Sequence, residues 1–203
     1  MAFNIYLCGV GGQGIGLLTA ALAQAADRAG LTVRACDTHG LAQRGGVVSS
    51  HIRLGADALT PLVPEGGADL VLGLERLEAL RGAAQYLKKG GKVIYYDTAY
   101  QPVSVRMGKA HYPTAEEVAK EISALDGEVS LVAIKDMQDP RMQNSALLGR
   151  LAALKTIPGL GPEVIEEVLK EIVPPAALEE NLKIFRSAAL HADLPGGHLE
   201  RRV

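Results

Sequence analysis

A glycine-rich turn near the N-terminus is the first set of residues whose types and spacing could do chemistry. It reads Gly9-Val10-Gly11-Gly12-Gln13-Gly14, and it lies between a short apolar run and an Ala/Leu-rich stretch. Glycines at this spacing let the backbone approach a phosphate, and the free N–H groups at the start of a following helix favour an anion. The turn therefore predicts a site for a phosphate or a carboxylate, or else a tight turn that packs closely on another chain.

A second polar loop follows the next apolar run. Its candidate binding or interface residues are His39, Gly40, Gln43, Arg44, Gly45 and Gly46, with His51 shortly afterwards. An imidazole, an amide and a guanidinium suit a phosphate, a carboxylate or a partner's backbone, because arginine can donate two charge-assisted hydrogen bonds to one acceptor group. One such residue alone is usually only solvated, but two loops at one edge of a sheet favour a functional surface.

Asp37 supplies an alternative interpretation. It lies at the end of the second apolar run, where a dinucleotide-binding enzyme places a carboxylate against the adenosine ribose. The glycine motif alone is weak evidence for this function. The second loop begins where an adenosine would lie, and no hydride-transfer constellation follows. A free-standing nucleotide-binding module of Rossmann type is therefore the alternative from a different functional class.

The order of the predicted elements positions both loops. Residues 3–8 form a predicted strand, residues 15–29 a helix and residues 31–36 a second strand. This order is typical of a βαβ unit, which predicts direct parallel pairing of the two strands by a right-handed crossover. Because the carboxyl ends of parallel strands meet at one edge, we expect His39, Gln43 and Arg44 to lie near Gln13 and Gly14.

The rest of the chain predicts one α/β domain over residues 1–203. Its fold class is a doubly wound, mostly parallel sheet with helices on both faces and a helical C-terminal end, followed by a frayed tail at 191–203. Further predicted strands are 47–54, 69–74, 92–96 and 129–134, with an edge strand at 103–107. Further predicted helices are 75–87, 116–125, 145–155, 162–172 and 176–189, the stripe Ile165, Val168, Leu169 and Ile172 being buried within the domain.

The composition excludes several classes of protein. A formal net charge of −2 offers no long-range field for polyanions, and 4% aromatic residues argue against a stacking surface for nucleic acid. No apolar run approaches the roughly 20 residues of a membrane helix, and the start of the chain does not resemble a secretory signal. We expect a cytoplasmic protein that binds neither nucleic acid nor membrane.

The chain has two cysteines, Cys8 and Cys36. A cubane iron–sulfur cluster needs about four thiolates, so this chain alone cannot supply one. Both cysteines end apolar strand-like runs, and we expect them to be buried free thiols. If the protein takes part in electron transfer, the redox centres belong to a partner.

The two loops together resemble a known family. The pair of motifs is similar to the gamma-type subunits of 2-oxoacid:ferredoxin oxidoreductases, and in layout to the short beta subunit of the indolepyruvate enzymes. The resemblance is strongest over residues 5–55 and continues weakly at 69–75 and 179–182. The residues that carry it are Gly9, Gly11, Gly12, Gln13 and Gly14 in the first loop and His39, Gly40, Gln43, Arg44, Gly45 and Gly46 in the second, closed by Ser50 and His51.

The resemblance implies an enzyme subunit rather than a complete enzyme. The family oxidises a 2-oxoacid with coenzyme A to an acyl thioester and carbon dioxide and reduces ferredoxin. Thiamine diphosphate and the iron–sulfur clusters sit on a larger, alpha-type companion subunit, and this chain alone is expected to bind no cofactor. No motif here marks an acid, a base or a nucleophile, so the implied role is interface and site closure. The isolated chain is expected to self-associate, for example as a homodimer.

Several alternatives remain open from the sequence. An arylpyruvate such as indolepyruvate is the favoured substrate, and the corresponding subunit of a pyruvate or 2-oxoglutarate enzyme is the alternative within the family. The pocket that decides the substrate is expected to lie in the companion subunit. A purely structural assembly protein, whose glycine loops contact only protein, is a third interpretation.

Arg44 offers a test of the second loop. We expect Arg44→Ala to leave the fold intact and to weaken subunit assembly or coenzyme A use about ten- to a hundredfold, because one charged hydrogen bond in a partly buried site contributes roughly 1.5–3 kcal/mol. Arg44→Lys should restore only part of the loss, because an ammonium cannot reproduce the guanidinium fork. Assembly and apparent coenzyme A affinity of the reconstituted complex are the measurements, and wild-type values for both in Arg44→Ala would contradict the prediction.

Overall fold

A computed structural model describes residues 2–39, 46–134, 137 and 139–190 of the chain. The predicted frayed tail at 191–203 and residues 40–45 of the second loop lie outside the described residues. Within them, the chain forms one six-stranded sheet with helices on both faces. The predicted α/β class is therefore confirmed.

The sheet is mostly parallel. Its strand order is β2-β3-β1-β4-β5-β6. The pairs β1/β4, β4/β5 and β5/β6 are parallel, whereas β3 is antiparallel to both of its neighbours. The strands are β1 (Phe3–Val10), β2 (Val33–His39), β3 (Val47–Leu54), β4 (Ala68–Gly73), β5 (Leu87–Tyr96) and β6 (Glu128–Val132).

Direct pairing of the first two strands was the wrong prediction. β1 and β2 run in the same direction, but β3 lies between them and pairs with both. The short connection from β2 to β3 allows an antiparallel pair, and the second edge of β3 then pairs with β1 from Phe3 opposite Leu54 to Val10 opposite Val47. The apolar pattern of a strand does not reveal which edges it will use, so the insertion of β3 could not be read from its residues.

Helices cover both faces of this sheet. One face carries α1 (Ile15–Arg28), α5 (Gln143–Ala153), α6 (Pro162–Ile172) and α7 (Pro175–Leu190), and the other carries α2 (Arg76–Tyr86) and α4 (Ala115–Ala124). A 3₁₀ turn at Pro140–Met142 precedes α5. None of the described helices is long and apolar enough to cross a membrane.

The predicted edge strand at 103–107 is a short helix instead. Residues Val103–Arg106 form α3, whose N-cap is Pro102. The alternation of Val103, Ser104 and Val105 suggested a strand because its period is two. Pro102 fixes the backbone dihedral at the start of a helical turn, and that local constraint decides the conformation here.

The core has two layers because alternate residues of β1 face opposite sides. Ile5 and Leu7 pack with α1 and the C-terminal helices, whereas Tyr6 and Cys8 pack with α2 and α4. Burial on both faces explains why this strand reads as one continuous apolar run. The predicted internal stripe of α6 is confirmed, since its buried residues join the first layer; they are Ile165, Val168 and Leu169, with Ile172 partly buried beside them.

The two cysteines differ in their surroundings. Cys8 is a buried free thiol, and burial raises its pKa well above the ordinary value, with Glu78 and Glu75 adding to the shift. Cys36 is only half-buried because β2 is an edge strand of the sheet. The prediction of a buried thiol is thus confirmed for Cys8 and wrong for Cys36.

His51 lies in the second core layer. It is 4% exposed and packs edge-on against two tyrosine rings, with centroid distances of 5.1 Å to Tyr6 and 5.4 Å to Tyr86. Its Nδ1 accepts a hydrogen bond from the backbone N–H of Val63 at 3.2 Å, which fixes the loop after β3. Burial lowers the pKa of His51 below its ordinary value of 6.5.

This burial makes a prediction about stability and pH. Because the folded protein lowers the pKa of His51, the unfolded chain binds the proton more readily, and the free energy of unfolding should fall as the pH drops below 6.5. His51→Phe keeps an aromatic ring but cannot be protonated. Urea unfolding of both proteins between about pH 8 and pH 5 should show a weaker loss of stability in the variant. Parallel profiles for the two proteins would contradict the assignment.

Candidate functional site

Three neighbouring parallel strands end at one edge of the sheet. The glycine turn, residues 9–14, spans the end of β1 and the turn into α1; Leu74 and Glu75 follow β4, and Asp97 follows β5. We call this the carboxyl edge. Such edges are the usual location of binding sites in open α/β sheets, because loops from several strands converge there.

Gln13 connects the glycine turn to the end of β4. Its side chain is 4% exposed. The Oε1 atom accepts a hydrogen bond from the backbone N–H of Val10 at 2.7 Å, and Nε2 donates to the carbonyl of Leu74 at 2.6 Å. Both ends of the amide are thus used inside the protein. The geometry favours a supporting role for Gln13 over direct contact with a ligand.

The positions of the glycine turn require glycine for different physical reasons. A Cβ atom on Gly9 would lie 2.8 Å from Oε1 of Gln13 and 3.0 Å from Cβ of Leu74, so close internal packing requires this glycine. Gly14 has a φ of 84°, and a Cβ there would lie 2.7 Å from Nδ2 of Asn144. Gly12 has a φ of 102°, but a Cβ would meet open space. The backbone at Gly12 is therefore exposed and not covered by a side chain.

The start of α5 supports the same turn from behind. Nε2 of Gln143 donates to the carbonyl of Gln13 at 3.4 Å, and Nδ2 of Asn144 donates to the carbonyl of Gly14 at 3.1 Å. Both side chains are buried, at 3% and 5% exposed. Among the described residues Oδ1 of Asn144 has no hydrogen-bond partner. Sequence reasoning missed these two residues because they lie far from the turn along the chain.

Within the described residues, no side chain caps the first turn of α1. Its N-cap is Gly14 in a left-handed conformation, which has no side chain to accept their hydrogen bonds. The uncapped N–H groups carry the positive end of the helix dipole. This end of α1 suits an anionic group or a carbonyl oxygen of another chain.

The second loop re-enters the sheet beside the glycine turn. The backbone N–H of Gly11 donates to the carbonyl of Gly46 at 2.9 Å. His39 ends β2 at the same edge, and its side chain lies outside the described part of the chain, as do Gly40, Gln43, Arg44 and Gly45. Gly46, the described end of the second loop, therefore lies beside the glycine turn.

His51 is not brought to this edge. It pairs with Tyr6 in the middle of the β1/β3 ladder, four positions from the Val10–Val47 pair that adjoins the turn. Its nearest rings are those of Tyr6 and Tyr86, and it supports the core. The Ser50-His51 pair that closes the second motif thus has a structural explanation.

The position of Asp37 disfavours the dinucleotide interpretation. Its carboxylate accepts a hydrogen bond from Oγ of Ser50 on β3. Because β3 separates β2 from β1, Asp37 lies two strand spacings from β1, or about 10 Å. A ribose carboxylate would have to follow the strand next to β1 on that side, and the strand there runs in the opposite direction.

Glu75 is a buried acid that sequence reasoning missed. It is 1% exposed and is the N-cap of α2. Its carboxylate accepts hydrogen bonds from the backbone N–H of Glu78 at 2.8 Å and of Tyr100 at 3.2 Å, and from the hydroxyl of Tyr112. A carboxylate directly after an apolar parallel strand was the available signal, because that position always lies at the carboxyl edge.

Arg76 follows Glu75 in the chain, and both residues bind the connection between β5 and α4. Nε of Arg76 donates to Oδ1 of Asp97 at 2.6 Å, and Nη1 donates to the carbonyl of Pro113 at 3.1 Å. The guanidinium carbon also lies 5.8 Å from the ring centre of Tyr112. We call Glu75 and Arg76 the clamp.

Burial raises the pKa values of two ionisable groups beside the clamp, Tyr112 and Glu78. Burial raises the pKa of Tyr112, and its hydrogen bond to Glu75 raises it further, so the hydroxyl remains a donor. The pKa of Glu78 is also raised, first by burial and then by the nearby charge of Glu75, against the opposing effect of Arg81. Over residues 2–39, 46–134, 137 and 139–190, no group of three or more His, Cys, Asp or Glu is placed to hold a metal ion.

Comparison with protein families gives a match over most of the chain. Residues 4–190 match the family described as pyruvate ferredoxin/flavodoxin oxidoreductase. The matched range includes the glycine turn, the clamp and α5 to α7.

Curated relatives match over most of their length. Indolepyruvate oxidoreductase subunit IorB of Archaeoglobus fulgidus is 38% identical over 190 residues, which are 92% of this chain and 93% of the relative. The protein of the same name from Thermococcus kodakarensis is 40% identical over 193 residues, covering 90% and 92% of the two chains.

Solved structures share the fold at lower identity. Pyruvate oxidoreductase subunit PORC of Thermotoga maritima has a TM-score of 0.65 at 21% identity, covering 93% of this chain and 96% of that one. The 2-oxoglutarate:ferredoxin oxidoreductase of Magnetococcus marinus has a TM-score of 0.66 at 21% identity, but its chain is covered to only 32% while this chain is covered to 97%. This fold is therefore also found as one part of a longer chain.

The buried amide of Gln13 makes a prediction. Gln13→Ala removes the partners of the Val10 N–H and the Leu74 carbonyl, and each buried group left without a hydrogen bond costs about 1–3 kcal/mol. Gln13→Glu should also destabilise, because it keeps the acceptor but cannot donate to Leu74. Exposed Gln101→Ala is the matched control and should change stability by less than about 0.5 kcal/mol. Chemical denaturation measures all three, and a Gln13→Ala protein as stable as the control would refute the role.

Proposed function

The chain belongs to the pyruvate ferredoxin/flavodoxin oxidoreductase family, and we propose that it is the small subunit of a coenzyme-A-dependent 2-oxoacid:ferredoxin oxidoreductase. The observation that carries this proposal is the similarity to the IorB subunits, at 38% and 40% identity over at least 90% of each chain. The continuous sheet and core of the described residues support one domain over residues 1–203.

The substrate is an arylpyruvate, with indolepyruvate as the preferred example. The relatives named for indolepyruvate share 33–40% of their aligned residues with this chain, whereas the pyruvate and 2-oxoglutarate enzymes among the solved structures share 21%. The lower value supports a common fold and not a common substrate. Pyruvate and 2-oxoglutarate are therefore the comparison substrates in the test below.

The chemistry requires a larger companion subunit. Oxidation of a 2-oxoacid releases carbon dioxide and a proton, forms the acyl thioester of coenzyme A, and passes two electrons, one at a time, to ferredoxin. Thiamine diphosphate, when bound, stabilises the carbanion that loss of carbon dioxide leaves behind. The two cysteines of this chain do not fit an iron–sulfur cluster, because Cys8 is buried among apolar groups with a raised pKa and about four thiolates are needed. The cluster ligands therefore belong to the companion.

The part of this chain that meets the companion is the carboxyl edge. Gly12 presents bare backbone there, and two apolar side chains flank it: Leu17 in the first turn of α1 is 45% exposed, and Val47 at the start of β3 is 49% exposed. Bare backbone beside exposed apolar groups suits a protein contact, and the free N–H groups of α1 suit an anionic group of a substrate or a carbonyl of the companion. Gly12 and the second-loop candidates, including Arg44, belong to this proposed interface, whereas Gly9 and Gln13 support it from inside the protein.

The buried polar residues of the edge shape this surface. Their hydrogen-bond partners are the protein's own backbone and side chains, for Gln13 as for Glu75 and Arg76. They hold the turn and the neighbouring connection in place. Their contribution to turnover is therefore indirect, through a surface that excludes water and orients groups of the companion.

Reconstitution with the companion subunit tests the proposal. The purified chain should be colourless, contain no iron or thiamine diphosphate, and show no 2-oxoacid-dependent dye reduction. Coexpression with the larger subunit from the same organism should yield a brown complex that reduces ferredoxin with coenzyme A and indolepyruvate. The ratio kcat/KM should be higher for indolepyruvate than for pyruvate or 2-oxoglutarate.

Each part of the proposal can fail separately. Turnover by the isolated chain would end the subunit assignment, and cluster absorbance from it would end the assignment of the clusters to the companion. An active complex that prefers pyruvate or 2-oxoglutarate would leave the subunit assignment standing and refute the substrate. Binding of a nicotinamide or flavin dinucleotide to the isolated chain would favour the nucleotide-binding alternative.

A further inference from the structure

The connection between β5 and α4 forms a surface arm without a core of its own. We call residues 98–113 the arm; it contains the short helix α3, none of whose residues is buried. Three large apolar side chains of the arm face solvent: Tyr100 is 48% exposed, Val103 60% and Met107 60%. Single exposed apolar residues are ordinary, but three within one short segment indicate a contact surface.

The clamp holds the arm at both ends. At the first end, the carboxylate of Glu75 accepts from the Tyr100 N–H, and the N–H of Arg76 donates to the carbonyl of Thr98 at 3.1 Å. At the second end, Glu75 accepts from the Tyr112 hydroxyl and Arg76 donates to the carbonyl of Pro113. Hydrogen bonds to charged groups with little exposure are strong and directional. The arm is therefore ordered although its middle buries nothing.

Ordering an exposed apolar segment in this way suits a partner. Fixing the backbone in advance removes part of the entropy cost that a flexible segment would meet on binding. The cost of showing Tyr100, Val103 and Met107 to water is recovered only when something covers them. The free chain thus carries a surface whose stabilisation requires a second molecule.

The charge of the arm indicates the chemistry of that molecule. Between Asp97 and Glu116 the chain has no acidic residue, whereas Arg106 and Lys109 are both exposed within the arm. The chain as a whole has a net charge of −2, so the arm is a local basic region on an acidic protein. An apolar centre with a basic rim fits an apolar groove with an acidic rim.

We propose that the arm docks into an acid-rimmed apolar groove of the larger companion subunit. The inference rests on the proposed function, which supplies that companion. A permanent subunit fits better than a transient electron acceptor, because lasting interfaces are larger and more apolar whereas redox encounters are small and wet. The arm also continues the proposed interface, since Glu75 directly follows Leu74, the residue that Gln13 binds across the carboxyl edge.

Binding of arm variants to the companion subunit is the test. Val103→Asp places an acid in the apolar centre, and the double change Arg106→Glu with Lys109→Glu reverses the rim. Both should weaken assembly about tenfold or more, because a buried acid disrupts the apolar centre of an interface and two reversed charges would be repelled by an acidic rim. Their melting temperatures should stay near the wild-type value, because Val103 and Arg106 belong to a helix with no buried residue.

Matched controls come from other surfaces of the chain. Leu59→Asp changes an apolar residue that is 83% exposed in the loop between β3 and β4, at the opposite edge of the sheet. Lys89→Glu with Lys120→Glu reverses two exposed charges outside the arm. Both controls should assemble within about twofold of the wild type. Sedimentation or calorimetric titration with the companion subunit gives the dissociation constants, and higher salt should weaken the wild type more than the rim variant.

The outcomes separate this inference from the proposed function. A wild-type chain that assembles, with arm variants that assemble equally well, would overturn the arm as a docking surface and leave the function standing. A wild-type chain that fails to assemble would overturn both. Variants that abolish only a homodimer, or that raise only the KM for ferredoxin, would assign the arm to self-association or to the electron acceptor and would also overturn the proposal.

Discussion

The buried side-chain amide of Gln13 holds the carboxyl edge of the sheet together. The side chain of Gln13 accepts from Val10 in its own turn and donates to Leu74 at the end of β4. An amide buried with both ends satisfied is rigid, because moving either strand would leave a polar group without a partner. Gly9 must lack a side chain to make room for it, and the start of α5 closes over the carbonyls of Gln13 and Gly14. The glycine turn is therefore a packed structural joint that leaves Gly12 open on its outer side.

The clamp holds the neighbouring part of the carboxyl edge in a similar way, through largely buried polar groups that bind the segment after β5. Glu75 and Arg76 follow directly after Leu74, and their charged groups hold the connection that leaves β5. Buried charges are costly unless they are hydrogen-bonded, and here the partners are Asp97, the backbone N–H of Glu78, and backbone and side-chain groups of the arm. The polar residues of the carboxyl edge thus set the shape of a surface. This arrangement agrees with the chain's membership of a family of oxidoreductase subunits.

Several apolar side chains are exposed at the carboxyl edge and on the arm. Leu17 and Val47 flank the turn, and Tyr100, Val103 and Met107 lie on the arm. Burying these side chains against another protein would remove apolar surface from water, so their exposure favours association.

Local patterns let the sequence by itself determine the elements and the class of the fold. The apolar runs, the Ala/Leu-rich stretch after the glycine turn and the stripe of α6 predict strands and helices correctly, because these signals act within a few residues. The two glycine motifs likewise indicated the family. Only the tertiary structure decided that β3 lies between β1 and β2, that His51 packs in the core, and that Gln13 faces inward. It alone brought Glu75 to Tyr112 and Asn144 to Gly14. Such contacts join residues far apart along the chain, and which strand edges meet is settled by packing of the whole sheet, which no local pattern records.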